Sequence, residues 1–474
     1  MERFGVQGVQ FLLQIVLARL LDPEHYGTLS LMIIFTTLAN VFIQSGFNTA
    51  LIQNKDVTDE DYSSVFWVSS GIAGVLYAAI FFCAPLIAQL YKMPDLVAPL
   101  RVLALMLFPG ALNSVQLAKV SRELDFKKVF YSNIGAIAVS GMVGIVIALN
   151  GGGLWALVAQ SMLNVFVACF VMWITVKWRI RFVCNLKRIK VLFAFGWKLL
   201  TSSLLDTLYQ DVRSLVIGVK YNSDTLGYYN RGKQFPQFFI QAVAGAVQSV
   251  MLPAMAAEQD DRARVKAMMR RSIMLSAYII FPLMAGLAGV ATPMVRLLLT
   301  DKWLPCVPYL QIYCFTLAFN PVHICNLQAI NAMGRSDLFL KLEIIKKSYG
   351  LATLAIAVFC FDSPIAIALT GAVTVLISCF VNASPNKKLV GYSYFEQMRD
   401  LLPAAGLSAA MLGCVLAVGL LPLPTIVVLA LQVAVGAGVY VVLSALLHVP
   451  EFTLLLNLIK GLKKTTPKGG AESE

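Results

Sequence analysis

Between Leu204 and Lys220 the chain reads LLDTLYQDVRSLVIGVK, as long as a membrane span yet carrying Asp206, Gln210, Asp211, Arg213 and Lys220. At 100° per residue, Asp206, Gln210, Arg213 and Lys220 fall at about 0°, 40°, 340° and 320°, so they form one stripe on a helix, with Asp211 alone pointing elsewhere. Amides on such a stripe can donate to and accept from hydroxyl groups, and cations can pair with phosphate oxygens. Asp206 can neutralise Arg213 when nothing is bound. Other segments repeat the pattern: Arg3, Gln7, Gln10 and Gln14 in one, Asn40, Gln44 and Asn48 in the next, and Gln234, Gln237, Gln241 and Gln248 in a fourth. Arg19 lies at the end of the first of these segments.

The elements that must hold these stripes are set by composition. The 474 residues are 58% hydrophobic and 13% charged, with a mean hydropathy of +0.76, whereas a soluble domain is roughly 25% charged. The chain is therefore an integral membrane protein. Apolar runs of about 20 residues predict fourteen spans, near 4–20, 28–50, 64–88, 96–118, 130–149, 153–175, 199–219, 234–256, 273–298, 306–331, 343–361, 364–382, 402–420 and 425–447. The connections between them leave no room for a soluble domain. The expected fold class is all-α and polytopic.

Lysine and arginine give the orientation. Of 38, 28 lie in the connections after even-numbered spans and in the tail, counting Lys346 and Lys347 with the connection that precedes span 11. Five lie in the connections after odd-numbered spans, Lys92, Lys220, Arg231, Lys233 and Lys302, and five within spans. Cytoplasmic loops retain positive charge, so both termini are expected on the cytoplasmic side. The net charge of +13 is then mostly topology, with anionic lipid as a contact and no reason to invoke nucleic acid. The basic stretches 177–190 and 262–271 read as topology determinants and amphipathic surface helices, and Arg101 and Arg296 as snorkelling to headgroups.

Other chemistry is sparse. Nine cysteines form no CxxC pair, and three histidines, His25, His323 and His448, are too dispersed for a metal site. Asn150-Gly151-Gly152-Gly153 lacks the Lys-Ser/Thr continuation of a phosphate loop and reads as a tight turn. No nucleotide-binding motif, catalytic constellation or cofactor site is evident, and no cleavable signal precedes the first span.

An offset of 200 residues sets ARLLDPEHYG (18–27) against GVKYNSDTLG (218–227) and DED (59–61) near QDD (259–261). Spans 1 and 2 thereby match spans 7 and 8, the spans that carry the stripes. This predicts two pseudo-symmetric six-helix lobes, 1–176 and 199–383, joined by a basic cytoplasmic linker at 177–198. A cytoplasmic loop with helices 13 and 14 (384–448) and a basic tail (449–474) follow. A charge at mid-span costs about 2.5–3.5 kcal/mol on insertion scales, while an interhelical amide hydrogen bond returns about 0.6 kcal/mol. Stripes three or four turns long therefore point to a hydrated groove between the lobes.

ARLLDPEHYG also resembles the AR-x-L-x-P-E-x-[FY]-G signature of the Wzx-type polysaccharide exporters, the oligosaccharide-lipid flippases that include colanic acid and teichuronic acid exporters. QLAKVSRELDFKK (116–128), LGYYNRGKQFPQ (226–237) and AINAMGR (329–335) follow in that family's order, and the similarity runs from Arg3 to about Tyr392. In that family a basic segment and a further turn or two precede the Glu-Arg dipeptide, whereas Glu2 and Arg3 directly follow Met1 here, so the first helix is expected to be short. The resemblance implies that helices 1, 2, 7 and 8 border a central cavity and that the cargo is an undecaprenyl-pyrophosphate-linked oligosaccharide. It further implies movement from the cytoplasmic to the outer leaflet of a bacterial inner membrane by alternating access, with a polysaccharide polymerase and initiating glycosyltransferases as partners.

The expected cavity residues are Gln7, Gln10, Gln14, Arg19, Gln44, Asn48, Asp206, Gln210, Arg213, Lys220, Gln234, Gln237, Gln241 and Gln248. Asp206 and Asp211 are the candidates for coupling to a proton or sodium gradient. Two alternatives stand beside this reading. An ion-coupled drug antiporter of related architecture would call for an acidic, aromatic-lined cavity, and a membrane-embedded polymerase for a sizeable outer loop, where the longest expected here, 220–233, is short.

Overall fold

In a computed structural model, residues 2–53 and 56–464 are described; the side chains of Arg3 and Gln248 and most of the tail expected at 449–474 lie outside the described set. The described residues form helices and no strand. In chain order they are α1 (Glu2–Leu20), α2 (Pro23–Gln53), α3 (Asp59–Leu90), α4 (Val97–Leu103), α5 (Leu107–Glu123), α6 (Phe126–Leu149), α7 (Leu154–Thr175), α8 (Leu186–Lys220) and α9 (Ser223–Ala257). They continue with α10 (Arg262–Gly289), α11 (Ala291–Leu299), α12 (Val307–Ala318), α13 (Asn320–Ala332), α14 (Ser336–Cys360), α15 (Pro364–Leu389), α16 (Tyr394–Gly419), α17 (Thr425–Leu446) and α18 (Pro450–Lys464).

Within the described residues nine helices are long and apolar enough to cross a membrane: α2, α3, the α4–α5 run, α6, α7, α10, α15, α16 and α17. Helix α8, bent by 51° between Lys187–Ala194 and Gly196–Lys220, makes ten. Of the other expected spans, α1 is apolar but shorter than a span over Gly5–Leu20, α9 runs over side chains outside the described set, and α14 opens with Asp337, Lys341, Glu343, Lys346 and Lys347. Span 10 is divided into α12 and α13 at Phe319, with Pro321 in the first turn of α13, where its missing N–H removes no helical bond. Fourteen spans are compatible with this set, although the count rests on the sequence.

Two compact units divide inside α9, Met1–Asn230 and Arg231–Glu474. In the first, the core gathers Phe47, Leu51, Tyr62, Val115, Val120, Met172, Trp178 and Leu192. The hairpin α6–α7 turns at Gly151 and Gly153, whose φ of +77° and +49° suits residues without a Cβ. The basic stretch differs from its expectation: residues 176–185 are irregular, and the helix begins only at Leu186. Packing decides this. Ser63 Oγ accepts from Arg181 N at 3.1 Å, Ser64 Oγ accepts from Asn185 N at 3.0 Å, and Trp67 Nε1 donates to Arg181 O at 3.0 Å. In the second unit, α10, α13, α15 and α16 enclose Met269, Ile273, Ala277, Val322, Cys325, Ala329, Cys379 and Leu401.

Candidate functional site

Helices α1 and α2 are joined by Leu21 and Asp22 alone, and α8 and α9 by Tyr221 and Asn222. Helix α9 therefore starts eleven residues before the expected span 8, and the connection expected over 220–233 is almost entirely helical. Hydropathy missed it because SDTLGYYNRGKQ is polar; packing against protein stabilises a helix that an apolar window cannot detect. Among odd-numbered connections the longest is instead 290–306, which folds as α11 and a 3₁₀ segment Asp301–Cys306.

The first turns of α2 and α9 cross at glycines. A Cβ on Gly27 would lie 1.8 Å from the Ser223 carbonyl oxygen, and one on Gly227 would lie 2.2 Å from that of Pro23. Gly27 and Gly227, like Pro23 and Ser223, are related by the 200-residue offset, so the contact is reciprocal. It packs the two signature segments backbone to backbone, as small residues do where membrane helices approach closely.

In the first unit, α2 packs along α8 and α1 along α6. On α1, Gln7 and Arg19 are exposed while Gln10 and Gln14 are partly buried; on α2, Gln44 and Asn48 are partly buried. Asn40 and Asn48 each have a buried Oδ1 without a hydrogen-bond partner. On α8, Gln210 and Lys220 are exposed, and Asp206, Asp211 and Arg213 are partly buried. The Arg213 guanidinium lies 6.0 Å from the Tyr209 ring and Lys220 Nζ 5.7 Å from the Tyr221 ring. Two of the striped helices, α2 and α8, are thus packing neighbours in the first unit.

In the second unit, Gln234 and Gln237 are partly buried and Gln241 is exposed. Gln234 Oε1 accepts from Arg231, a residue that loop counting assigned to a connection. Arg231 is instead 4% exposed inside α9, its guanidinium 5.1 Å from the Trp303 ring centroid. The two arginines near span ends also have protein partners: Arg101 lies over the Phe81 ring and donates to the Phe81 carbonyl at 3.1 Å, and Arg296 pairs with Asp301 at 2.7 Å.

The strap at 176–185 leads to an ion pair. Arg188 donates to Asp61 through Nε at 2.9 Å and Nη2 at 2.7 Å, and Asp61 also closes a capping box with Thr58 at the start of α3. The hydrogen bond from Arg188 is the main reason the Asp61 carboxyl lies below the usual carboxylate range. Among the described residues no three His, Cys, Asp or Glu side chains could jointly hold a metal ion.

Helical bundles of this length with polar, partly accessible stripes define a polytopic membrane transporter. The chain belongs to the polysaccharide biosynthesis protein family, whose model matches residues 16–308. It is 23% identical to the succinoglycan biosynthesis transport protein ExoT of Rhizobium meliloti, over 100% of this chain and 96% of that protein. It is also 23% identical to the lipopolysaccharide biosynthesis protein WzxC of Escherichia coli, over 81% and 79%, and 25% identical to the teichuronic acid biosynthesis protein TuaB of Bacillus subtilis, over 64% and 63%. Its fold is that of the lipid II flippase MurJ in an inward closed conformation, with a TM-score of 0.77, 14% identity and coverage of 94% of this chain and 98% of that one. An inward-facing multidrug resistance MATE family transporter of the MOP superfamily is similar at a TM-score of 0.60, with 16% identity over 81% and 95%.

Proposed function

We propose that this protein is a flippase that moves undecaprenyl-pyrophosphate-linked oligosaccharide repeat units from the cytoplasmic to the outer leaflet of a bacterial inner membrane, for surface polysaccharide synthesis. The observation that carries the reading is the concentration of polar stripes on α1, α2, α8 and α9, the repeat-related helices, in a family whose relatives include a succinoglycan transport protein. The polyprenyl tail stays in hydrocarbon, while sugars and pyrophosphate need a polar path, since an isolated charge in a low-dielectric medium is penalised by tens of kcal/mol. Gln10, Gln14, Gln44, Asn48, Gln210, Gln234, Gln237 and Gln241 offer donors and acceptors to sugar hydroxyls, and Gln7 extends the α1 stripe. Arg213, Lys220 and Arg19 pair with pyrophosphate oxygens.

Alternating access between two six-helix lobes moves the cargo. The termini face the cytoplasm, a polymerase and initiating glycosyltransferases act on either side of the step, and Asp206 or Asp211 can tie it to a proton or sodium gradient. This is a transporter and not an enzyme. The experiment is reconstitution in liposomes with a defined undecaprenyl-pyrophosphate-linked oligosaccharide and, separately, with a cationic drug. Outer-leaflet appearance of the lipid-linked sugar supports the reading; movement of the drug alone replaces it with the antiporter.

A further inference from the structure

The strap at 176–185 is tied to the start of α3, yet much of its surface is left open. Arg181 N and Asn185 N donate to Ser63 and Ser64, and Trp67 donates to the Arg181 carbonyl. Trp67 stands within one turn of residue 64, where the apolar run of α3 begins, so the strap crosses α3 at the depth where hydrocarbon gives way to headgroups. On that level Phe182 lies against the Trp67 ring, with centroids 5.3 Å apart and planes at 30°, and is still 91% exposed. Val183 beside it is exposed as well. The first turns of α8 repeat the mixture: Ile189 and Leu192 turn into the core, while Val191 and Phe193 are exposed among Lys187 and Lys190.

The charges of this region sort into two groups. Arg188 is held by Asp61 and by the Asp56 carbonyl, Arg179 donates to the Trp173, Val176 and Trp178 carbonyls at the end of α7, and Lys119 takes Asp59. Lys177, Arg181, Lys187 and Lys190 are exposed, and no ion pair holds them among the described residues. Of the carboxylates in the first turn of α3, Glu60 is the one without such a partner among those residues, so the exposed excess is positive. A soluble anion would satisfy these cations and leave the aromatic and aliphatic groups bare. A neutral lipid would do the reverse. Both are met by a surface that presents acyl chains and negative headgroups together.

We propose that the strap and the first turns of α8 form a binding site for anionic phospholipid. Lys177, Arg181, Lys187 and Lys190 pair with headgroup phosphates, and Phe182 anchors among the first acyl carbons. The bonds from Ser63, Ser64 and Trp67 fix the path of the strap, and bound lipid damps its local opening. The leaflet is the inner one in the orientation proposed above; lipid binding itself requires neither that orientation nor the flippase reading.

Hydrogen–deuterium exchange of the full chain, read by mass spectrometry, tests this in nanodiscs of phosphatidylcholine alone and of phosphatidylcholine with phosphatidylglycerol. Amides of 176–194 should exchange several-fold more slowly when phosphatidylglycerol is present, and the difference should vanish near about 1 M salt, where the Debye length is about 3 Å. A variant with Lys177→Gln, Arg181→Gln, Lys187→Gln and Lys190→Gln should lose the protection. A variant with Arg262→Gln, Arg271→Gln, Lys387→Gln and Lys388→Gln, which removes as many exposed cations from α10 and α15, should keep it. Equal exchange in the two lipids, or equal loss in the two variants, overturns the proposal. Phe182→Ser should weaken the protection, and full protection in that variant overturns the anchoring role. Protection by undecaprenyl diphosphate in phosphatidylcholine, where phosphatidylglycerol gives none, overturns the phospholipid site and reassigns the strap to the cargo.

Discussion

Replacing Gly27 by alanine tests the crossing of α2 and α9 directly. The added Cβ would stand 1.8 Å from the Ser223 carbonyl oxygen and 3.0 Å from the Gly227 nitrogen, where ordinary contact begins at 3.4 Å. The obstacle is backbone on a second helix, so no rotamer change relieves it, and the helices must separate by about 1.5 Å over the first turn. Overpacking of this kind costs about 1–3 kcal/mol, against which alanine regains about 0.5–1 kcal/mol of helix propensity. A net loss of about 0.5–2 kcal/mol is expected. Gly8→Ala is the control, because nothing lies within 4 Å of a Cβ there; it should be neutral or slightly stabilising. Equilibrium unfolding of purified protein in mixed micelles measures both. Once Gly27→Ala has parted the helices, adding Gly227→Ala should cost less than it does alone, since the two contacts share one crossing. Gly27→Ala as stable as Gly8→Ala, or strictly additive costs for Gly27 and Gly227, would refute the reasoning.

Arg213→Ala combined with Lys220→Ala should abolish or sharply reduce surface polymer while membrane abundance stays normal; normal polymer would argue against pyrophosphate pairing on α8. Asp61→Asn should lower stability by about 1–2 kcal/mol at neutral pH, the low end for a buried charge-assisted bond, since the Arg188 side chain is 39% exposed and stays hydrated. Because the folded Asp61 carboxyl lies below its unfolded value, that contribution is fully present above about pH 4 and is lost as pH falls through the folded value; wild type and Asp61→Asn should therefore converge in acid. Ser393→Ala removes the cap of α16, whose backbone N–H is the first cause holding Glu396 down at about 2. Unfolding should show a loss of about 1 kcal/mol, and no loss would mean that the capping box contributes nothing there.

Much of this molecule is written locally. Span length, the separation of apolar from basic segments and the four polar stripes follow from neighbouring residues, because a bilayer imposes a fixed length and penalises each polar group wherever it falls. Even the glycine crossing left a trace, since Gly27 and Gly227 occupy the same place in the repeated segments.

What those glycines touch was decided only by the fold, as was the burial of Arg231 against Trp303 within a helix that its polar sequence disguised. The same holds for Arg101 on Phe81, for the strap that Ser63, Ser64 and Trp67 hold, and for His323, whose sequence neighbourhood gives no hint of Asn382, 59 residues away. Periodicity tells which face of a helix is polar. Which partner that face meets depends on how distant helices pack, and burial allows each polar group only the donors and acceptors that packing supplies.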